Sequence, residues 1–290
     1  MPVNMAKVPV TTHAIHYGTS IFEGIRAYWN SKNLHVFRLK DHIKRFRNSG
    51  KFYNIRLNFS DKQIENAVID LCKKNKIKKS CYIRPFYFVG QYGINFHVTQ
   101  KAPTHTAVFA FPFGDLFNKN GITATISKWR KFSDMSTPTQ AKMGGNYLNS
   151  ILATQDAKQK GLDEAILLDQ SGNVSEEPGE NIFLVKNNEL ITPSLSSSAL
   201  DGITRRSVIT LANDLNLKIR ERKVSKKELK LADEIFLSGT AAEITPIIKI
   251  DKKKICSGKV GNITKLFMDT YSDIVMNKNE NYSHWLTTVY

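Results

Sequence analysis

The order of hydrophobic and polar residues changes repeatedly between the period of a strand and the period of a helix. Apolar residues repeated every three or four positions predict helices at residues 41–53, 146–160, 204–215 and 260–276. Runs rich in aromatic and β-branched residues predict strands at residues 34–37, 81–89, 106–113, 122–129, 164–168 and 234–237, and a hairpin at 181–186 and 189–191. Helices and strands mixed in this way predict an α+β protein.

Helix ends and turns have their own sequence signals. Ser60 with Gln63 and Ser225 with Glu228 have the spacing of a capping box, which predicts that a helix begins after each serine. Gly161 is expected to end the helix before it. The pair at residues 187–188, two asparagines, predicts the turn of the hairpin.

The chain length and one glycine-bounded segment suggest two domains. A chain of 290 residues suits one large or two modest domains. Residues 114–121 begin and end with glycine and are polar near the centre, which is typical of a linker. We therefore predict a smaller N-terminal α+β domain at residues 1–113 and a larger C-terminal domain at residues 122–290.

The chain is basic, with 42 lysine and arginine residues against 26 acidic ones and a formal net charge of +16. Such an excess can indicate binding to nucleic acids or anionic membranes. The lysines lie in short runs, at residues 73–76 and 252–254, without the interleaved aromatic residues of a single-strand-binding groove. No nucleic-acid-binding motif is present, so we interpret the charge as a solvated surface and expect no nucleic-acid partner.

Three scattered cysteines, Cys72, Cys81 and Cys256, make neither a disulfide framework nor a C-x-x-C pair. The first residues lack the apolar core of a signal peptide, and no long apolar window suggests a membrane span. Nucleotide-binding glycine motifs, H-E-x-x-H and G-x-S-x-G are also absent. These observations favour a cytoplasmic protein with no membrane partner and no metal site.

A lysine followed by two glycines is the first candidate for chemistry. Lys142 precedes Gly144 and Gly145, and glycines allow a backbone to approach a planar ligand closely. By itself this is weak evidence, because a lysine is usually a surface residue. Three other polar, glycine-containing segments lie at residues 175–181, 200–205 and 238–244, and each could be only a turn and a helix cap. Together the four offer an amine, carboxylates, hydroxyls and free N–H groups, which suit a phosphorylated aromatic aldehyde.

Five segments in order resemble the branched-chain amino acid aminotransferases of fold type IV. They are residues 16–26, 141–148, 175–181, 202–205 and 238–246, and the similarity runs from about Thr12 to Lys265. The resemblance implies two α/β domains with pyridoxal 5′-phosphate at their interface. It also implies transfer of the amino group between L-leucine, L-isoleucine or L-valine and 2-oxoglutarate, a reaction of amino-acid biosynthesis, by a homodimer or a larger homo-oligomer such as a hexamer.

The resemblance assigns roles around the cofactor. Lys142 would hold it as a Schiff base and act as the catalytic base, which requires an amine of depressed pKa. Glu176 would pair with the pyridine nitrogen, with Glu180 as the competing candidate. The other implied cofactor contacts are Arg45, Ile203, Thr204 and Thr240 at the phosphate and Tyr147 at the phenolic oxygen.

The implied substrate site must accept leucine-like and glutamate side chains in alternate half-reactions. Tyr82 and the backbone of Thr240 and Ala241 resemble the carboxylate site, and Arg84 is available to a glutamate γ-carboxylate. Strand alternation puts Tyr82 and Arg84 on one face. The remaining implied substrate residues are Tyr17, Phe22, Gly24 and Phe113.

Three departures from the family pattern bear on these roles. Glu177 stands where the family commonly has glycine and would add a side chain and a charge near the cofactor ring. Residues 91–96 replace a more glycine-rich stretch that reaches into the neighbouring subunit's pocket, and the first strand usual in the family is not apparent. The preference among leucine, isoleucine, valine and aromatic substrates, and the choice of dimer or hexamer, stay open.

Two other activities of the same fold, D-amino acid aminotransferase and aminodeoxychorismate lyase, would use the same lysine and glutamate. The Tyr82-x-Arg84 pair and the turn at residues 239–242 favour the L-branched-chain interpretation. From another class, the basic charge would suit a nucleic-acid-binding protein with a vestigial enzyme fold, but no motif supports it.

Overall fold

Two β-sheets with seven α-helices form the protein, and the computed structural model describes all 290 residues. The helices are α1 (His13–Tyr17), α2 (Leu39–Lys51), α3 (Asp61–Lys74), α4 (Tyr147–Gln159), α5 (Ile203–Asp214), α6 (Lys226–Leu231) and α7 (Asn262–Val275). The strands are β1 (Ser20–Phe22), β2 (Ile25–Trp29), β3 (Leu34–Phe37), β4 (Cys81–Val89), β5 (Thr104–Pro112), β6 (Ile122–Arg130), β7 (Glu164–Leu168), β8 (Asn181–Lys186), β9 (Glu189–Pro193), β10 (Ile219–Arg222), β11 (Glu234–Gly239), β12 (Glu243–Ile250), β13 (Lys253–Lys254) and β14 (Leu286–Thr288). This mixture confirms the α+β class.

The first sheet is antiparallel and runs in the order β1-β4-β2-β3-β14, with β5 on the other edge of β4. Alternation along β4 buries Cys81, Ile83 and Tyr87 against α2 and α3. Tyr82 and Arg84 therefore lie on the opposite face, as predicted. This face of the sheet is the one that contributes to the cavity described below.

The second sheet is mixed and runs in the order β10-β9-β8-β11-β12-β6-β7. Strands β7, β8 and β11 are buried on both faces, and α5 and α7 pack on one face of the sheet. Phe183 and Phe236 of this sheet share a buried cluster with Tyr28 and Phe37 of the first sheet. The two sheets are therefore joined by a common apolar core, which fixes the cavity between them.

The local sequence signals correspond closely to the structure. Both capping boxes are confirmed, since each serine accepts from the backbone three residues later and the Gln or Glu side chain bonds back. The hairpin is confirmed, with φ of 50° at Asn187 and 59° at Asn188. Gly161, at φ 68°, follows the end of α4. Left-handed backbone at such positions suits asparagine and glycine.

Several strands were not predicted. Only Glu23 and Gly24 separate β1 from β2, and β2 is buried on both faces, so no alternation marks either strand. Pro246 conceals β12, because proline is uncommon inside a central strand. The three-residue β14 is defined by its pairing with β3, which is distant in sequence.

No helix or strand is present at residues 113–121, which include the predicted linker. Strand β14 pairs with β3, so the end of the chain returns to the first sheet although the predicted division gives it to residues 122–290. The division itself stays a prediction. No helix in the structure combines the length and the apolar character that crossing a bilayer requires.

Candidate active site

A cavity of about 500 Å³ lies between the two sheets. The first part of the chain contributes side chains from β1, β4 and α2. The second part contributes the segment between β6 and α4, helix α4, the start of α5, and the loops before β8 and after β11. Most residues predicted for the site line it: Phe22, Gly24, Arg45, Tyr82, Arg84, Lys142, Tyr147, Glu176, Ile203, Thr204, Thr240 and Ala241.

Backbone hydrogen bonds of Lys142 join its segment to the first part of the chain. Its N–H donates to Ser49 Oγ at 3.0 Å, and its carbonyl accepts from the N–H of Phe22 at 3.2 Å. The glycines make this approach possible: a Cβ on Gly18 would lie 2.8 Å from the Cα of Gly145. The two backbones can therefore touch only where side chains are absent.

The Lys142 ammonium donates from Nζ to the hydroxyl of Tyr147 at 2.6 Å and lies 5.0 Å from the centre of the Phe22 ring. Burial, and then the positive charge of Arg45, lower the pKa of Lys142 to about 8. The pKa of Tyr147 is raised to about 12, mainly by burial. Lys142 can therefore release a proton near neutral pH while the tyrosine keeps its own.

The Glu176 carboxylate is fixed by three donors. Lys131 Nζ lies 2.5 Å from its Oε1, and its Oε2 accepts from Asn181 Nδ2 at 3.1 Å and from the N–H of Leu200 at 2.8 Å. Burial disfavours the Lys131 cation, but the attraction of Glu176 outweighs it and raises the pKa of Lys131. Lys131 and Asn181 also line the cavity and were not predicted for the site, since nothing in the sequence separates Lys131 from the many surface lysines.

The neighbouring carboxyl groups behave differently. Glu177 is fully buried, does not line the cavity, and has no hydrogen-bond partner for either oxygen. Burial, with Glu164 and Glu180 nearby, raises its pKa well above the ordinary value, which favours the neutral carboxyl. Glu177 was expected to add a side chain and a charge near the ring, but its side chain does not line the cavity and its raised pKa disfavours the charge. Glu180 does line the cavity, and burial raises its pKa to about 8.

Hydrogen-bond donors are provided to the cavity where α2 lies beside the start of α5. Helix α5 begins at Ile203 and has no side-chain cap, so its first N–H groups lack intrahelical partners. Arg45 donates from Nη1 to the carbonyl of Asp201 at 2.9 Å, just before this helix. Gly202 is required here, because a Cβ would lie 2.0 Å from Asn181 Oδ1. Free N–H groups beside an arginine suit a phosphate dianion.

The face of β4 opposite the core supplies two polar groups to the cavity. Arg84 Nη2 donates to the Tyr82 hydroxyl at 2.8 Å, and the guanidinium lies 4.5 Å from the centre of the Phe22 ring. Gly24 makes room, since a Cβ there would lie 1.9 Å from the Tyr82 hydroxyl oxygen. Thr240 and Ala241 line the cavity from the turn between β11 and β12.

The family model for the amino-transferase class IV proteins matches residues 20–250. The chain belongs to the class IV aminotransferases. It is 41% identical over 288 residues to the branched-chain-amino-acid aminotransferase of Escherichia coli, covering 98% of this chain and 93% of that one.

Two solved structures are also similar. The branched-chain aminotransferase of Thermoproteus uzoniensis with norvaline gives a TM-score of 0.96 at 41% identity, covering 99% of this chain and 96% of that one. The T.th. branched-chain amino acid aminotransferase complexed with N-(5′-phosphopyridoxyl)-L-glutamate gives 0.96 at 39% identity, covering 100% of this chain and 96% of that one.

Class IV aminotransferases use pyridoxal phosphate, and the cavity residues fit that group. The uncapped start of α5 beside Arg45 suits the phosphate. Lys142 is an amine of lowered pKa, and Glu176 is a buried carboxylate already held in one orientation. A class IV aminotransferase needs a phosphate site, a reactive amine and a fixed carboxylate, and residues suited to all three line one cavity.

Two residues predicted for the substrate pocket, Tyr17 and Phe113, do not line this cavity. Tyr17 ends α1 before the left-handed Gly18, and its ring packs on His13 and Phe96 at centroid distances of 4.6 and 5.2 Å. Phe113 follows the end of β5, and its ring packs on that of Tyr82 at a centroid distance of 5.5 Å.

Proposed function

We propose that this chain is a branched-chain-amino-acid transaminase that moves the amino group between L-leucine, L-isoleucine or L-valine and 2-oxoglutarate. The observation that carries the proposal is a buried Lys142 of lowered pKa that shares one cavity with the uncapped start of α5 and a fixed carboxylate at Glu176. The names of the relatives support the substrate class. One of them was solved with norvaline and another with a phosphopyridoxyl derivative of L-glutamate.

When bound, pyridoxal phosphate supplies an aldehyde carbon for amines and a ring that accepts electrons. Lys142 would hold this carbon through Nζ, and once the substrate amine has displaced it there, the freed Nζ would take the proton from the substrate Cα. Its lowered pKa leaves a useful fraction of free amine near neutral pH. The Tyr147 hydroxyl, 2.6 Å from Nζ, orients the amine and is available to the phenolic oxygen.

With the cofactor bound, Glu176 would keep the pyridine nitrogen protonated. Its three donors, Lys131, Asn181 and the N–H of Leu200, leave the carboxylate little freedom to rotate. A pre-oriented charge in a site away from water interacts more strongly than a mobile one. Glu180 is less suited to this role, because burial raises its pKa to about 8 and leaves it largely protonated at neutral pH.

The phosphate is bound by Arg45, by the backbone and hydroxyl groups of Ile203 and Thr204, and by Thr240. The helix N-terminus and the guanidinium supply N–H donors of the kind that phosphate oxygens accept. All four residues line the same cavity, and the bond of Arg45 to the carbonyl of Asp201 puts the arginine beside the start of α5, which supports this assignment.

The substrate carboxylate is bound by Tyr82 and by the backbone of Thr240 and Ala241. Phe22 and Gly24 contribute the apolar side, which suits a leucine side chain. Arg84 supplies a positive charge to the γ-carboxylate of glutamate. The contact between Arg84 and the Phe22 ring puts the charge beside the apolar surface, as a dual-substrate pocket requires.

The chain acts as a homodimer or a larger homo-oligomer. Helix α4 exposes Leu148 and Ile151, at 67% and 52% of their surface, and Ile151 also lines the cavity. Near Tyr17, Ile94 and Phe96 are 85% and 81% exposed. Exposed apolar groups of this size favour an interface. Tyr17 does not line the cavity of its own chain, so in an oligomer it would complete the substrate pocket of the neighbouring subunit.

The proposal is tested by an absorbance spectrum and a substrate panel. The purified protein should absorb in the visible and lose that band with borohydride. With 2-oxoglutarate as acceptor, L-leucine, L-isoleucine and L-valine should react much faster than any D-amino acid. Preferential turnover of D-amino acids or of aminodeoxychorismate would replace the proposal with one of those two activities. A colourless protein that does not bind pyridoxal phosphate would contradict it altogether.

A further inference from the structure

A buried carboxylate stands behind the proposed phosphate-binding arginine. Glu23, between β1 and β2, is fully buried, and it does not line the cavity. Its Oε1 accepts from Arg45 Nε at 2.7 Å, and its Oε2 accepts from Arg45 Nη2 at 2.9 Å and from His42 Nδ1 at 2.7 Å. The contact with Arg45 is therefore the two-bond, planar pairing of a guanidinium with a carboxylate.

Counting the hydrogens of Arg45 shows what remains for a ligand. A guanidinium has five N–H donors in one plane. Glu23 accepts one from Nε and one from Nη2, and the carbonyl of Asp201 accepts one from Nη1 at 2.9 Å. One N–H on Nη1 and one on Nη2 are left. Because the plane is rigid, the position of Glu23 determines the direction in which this remaining pair points.

The charges indicate that Glu23 does not act by attracting the phosphate. Arg45 and the fully buried His42 hold the pKa of Glu23 far below its usual range against the effect of burial, so the carboxylate is ionised. A negative charge near an anion site weakens the field of the arginine. Burying it also carries a desolvation cost. What the pair can supply in return is a fixed orientation of the guanidinium.

His42 completes the arrangement from the same helix. It lies three residues before Arg45 on α2, so the two side chains are neighbours on one face. Burial lowers the pKa of His42, which favours the neutral ring. A carboxylate only accepts, so the proton of the neutral imidazole is on Nδ1 and points at Glu23. His42 thereby fixes the carboxylate that fixes the arginine.

We propose that Glu23, held by His42, is a positioning residue that aims the two free N–H groups of Arg45 at the phosphate of the cofactor. The inference rests on the proposed function, in which Arg45 binds that phosphate. Glu23 itself touches neither the cofactor nor the substrate.

The test compares the binding of pyridoxal phosphate and of pyridoxal, which lacks the phosphate, to the apoprotein. Glu23→Gln keeps the shape and removes the charge-assisted pairing. It should weaken pyridoxal phosphate binding about tenfold, a loss typical of one hydrogen bond between charged groups, and leave pyridoxal binding unchanged. Asp61→Asn is the matched control. It removes the carboxylate partner of Arg47, which lies on α2 like Arg45, and Asp61 does not line the cavity.

Two further variants separate the possible outcomes. Arg45→Gln should itself lower the affinity for pyridoxal phosphate relative to pyridoxal, and adding Glu23→Gln to it should then have little further effect. If Glu23→Gln does not fold, His42→Leu tests the same series of contacts, and it should lower the affinity for pyridoxal phosphate roughly two- to tenfold.

Each adverse result has a distinct meaning. No selective loss in Arg45→Gln would overturn the assignment of Arg45 to the phosphate. A selective loss in Arg45→Gln with unchanged or tighter binding in Glu23→Gln would overturn the positioning role alone, because Glu23 would then only neutralise the arginine. Equal losses for pyridoxal and pyridoxal phosphate in Glu23→Gln would reduce Glu23 to a structural residue.

Discussion

Replacing Arg84 with alanine should reduce the reaction with glutamate more than the reaction with leucine. The guanidinium lines the cavity, with one N–H on the Tyr82 hydroxyl at 2.8 Å and the Phe22 ring at 4.5 Å. Its Nε is buried without a hydrogen-bond partner. A γ-carboxylate can supply that partner, whereas a leucine side chain cannot.

The size of the effect follows from the type of bond. A hydrogen bond to a charged group contributes about 1.5–3 kcal/mol. Since about 1.4 kcal/mol corresponds to a factor of ten, the glutamate half-reaction should lose roughly ten- to a hundredfold relative to the leucine half-reaction. Loss of the arginine stem also removes packing on Phe22, and this part should affect both substrates alike.

Single-turnover rates with each amino acid, followed by the visible absorbance of the bound cofactor, separate the two half-reactions. Arg84→Lys is the matched variant, because it retains the positive charge without the planar fork, and it should recover part of the glutamate rate. Equal losses with both amino acids in Arg84→Ala would refute the reasoning. Arg84 would then support the fold or the cofactor, and the glutamate site would lie elsewhere.

The other predictions concern the lysine and the two adjacent glutamates. Lys142→Ala should abolish transamination and the borohydride-sensitive band while circular dichroism stays unchanged, and substantial turnover in this variant would contradict the assignment. Glu176→Gln should lower kcat by orders of magnitude, whereas Glu177→Gly should change kcat only slightly, as steady-state kinetics would measure. The opposite ranking would show that the partner of the pyridine nitrogen is Glu177, one position further along the chain. The unfolded chain ionises near the ordinary pKa of 4.5, but burial keeps Glu177 protonated in the folded protein, so the free energy of unfolding should fall as the pH rises above about 4.5. Glu177→Gln should lessen that fall in urea unfolding measured from pH 5 to 8, and an identical pH dependence would indicate an ionised Glu177.

Much of the local structure is encoded in short stretches of sequence. The capping boxes at Ser60 and Ser225 and the turn at residues 187–188 act within a few residues, so each could be read without knowing the fold. The candidate lysine could also be identified from the sequence, because the glycines after it and the order of the five segments are properties of the sequence. The alternation of β4 likewise put Tyr82 and Arg84 on one face.

Tertiary structure decided the features that depend on partners distant in the chain. Lys131 is an ordinary lysine in the sequence and becomes part of the site only because folding brings it to Glu176. Glu23 depends in the same way on Arg45, and β14 on its pairing with β3. The raised pKa of Glu177 follows from surroundings that exclude water, and no pattern of neighbours in the sequence specifies that environment. Spacing along the chain determines periodicity, caps and motifs, while burial and pairing across the fold determine charge state and orientation.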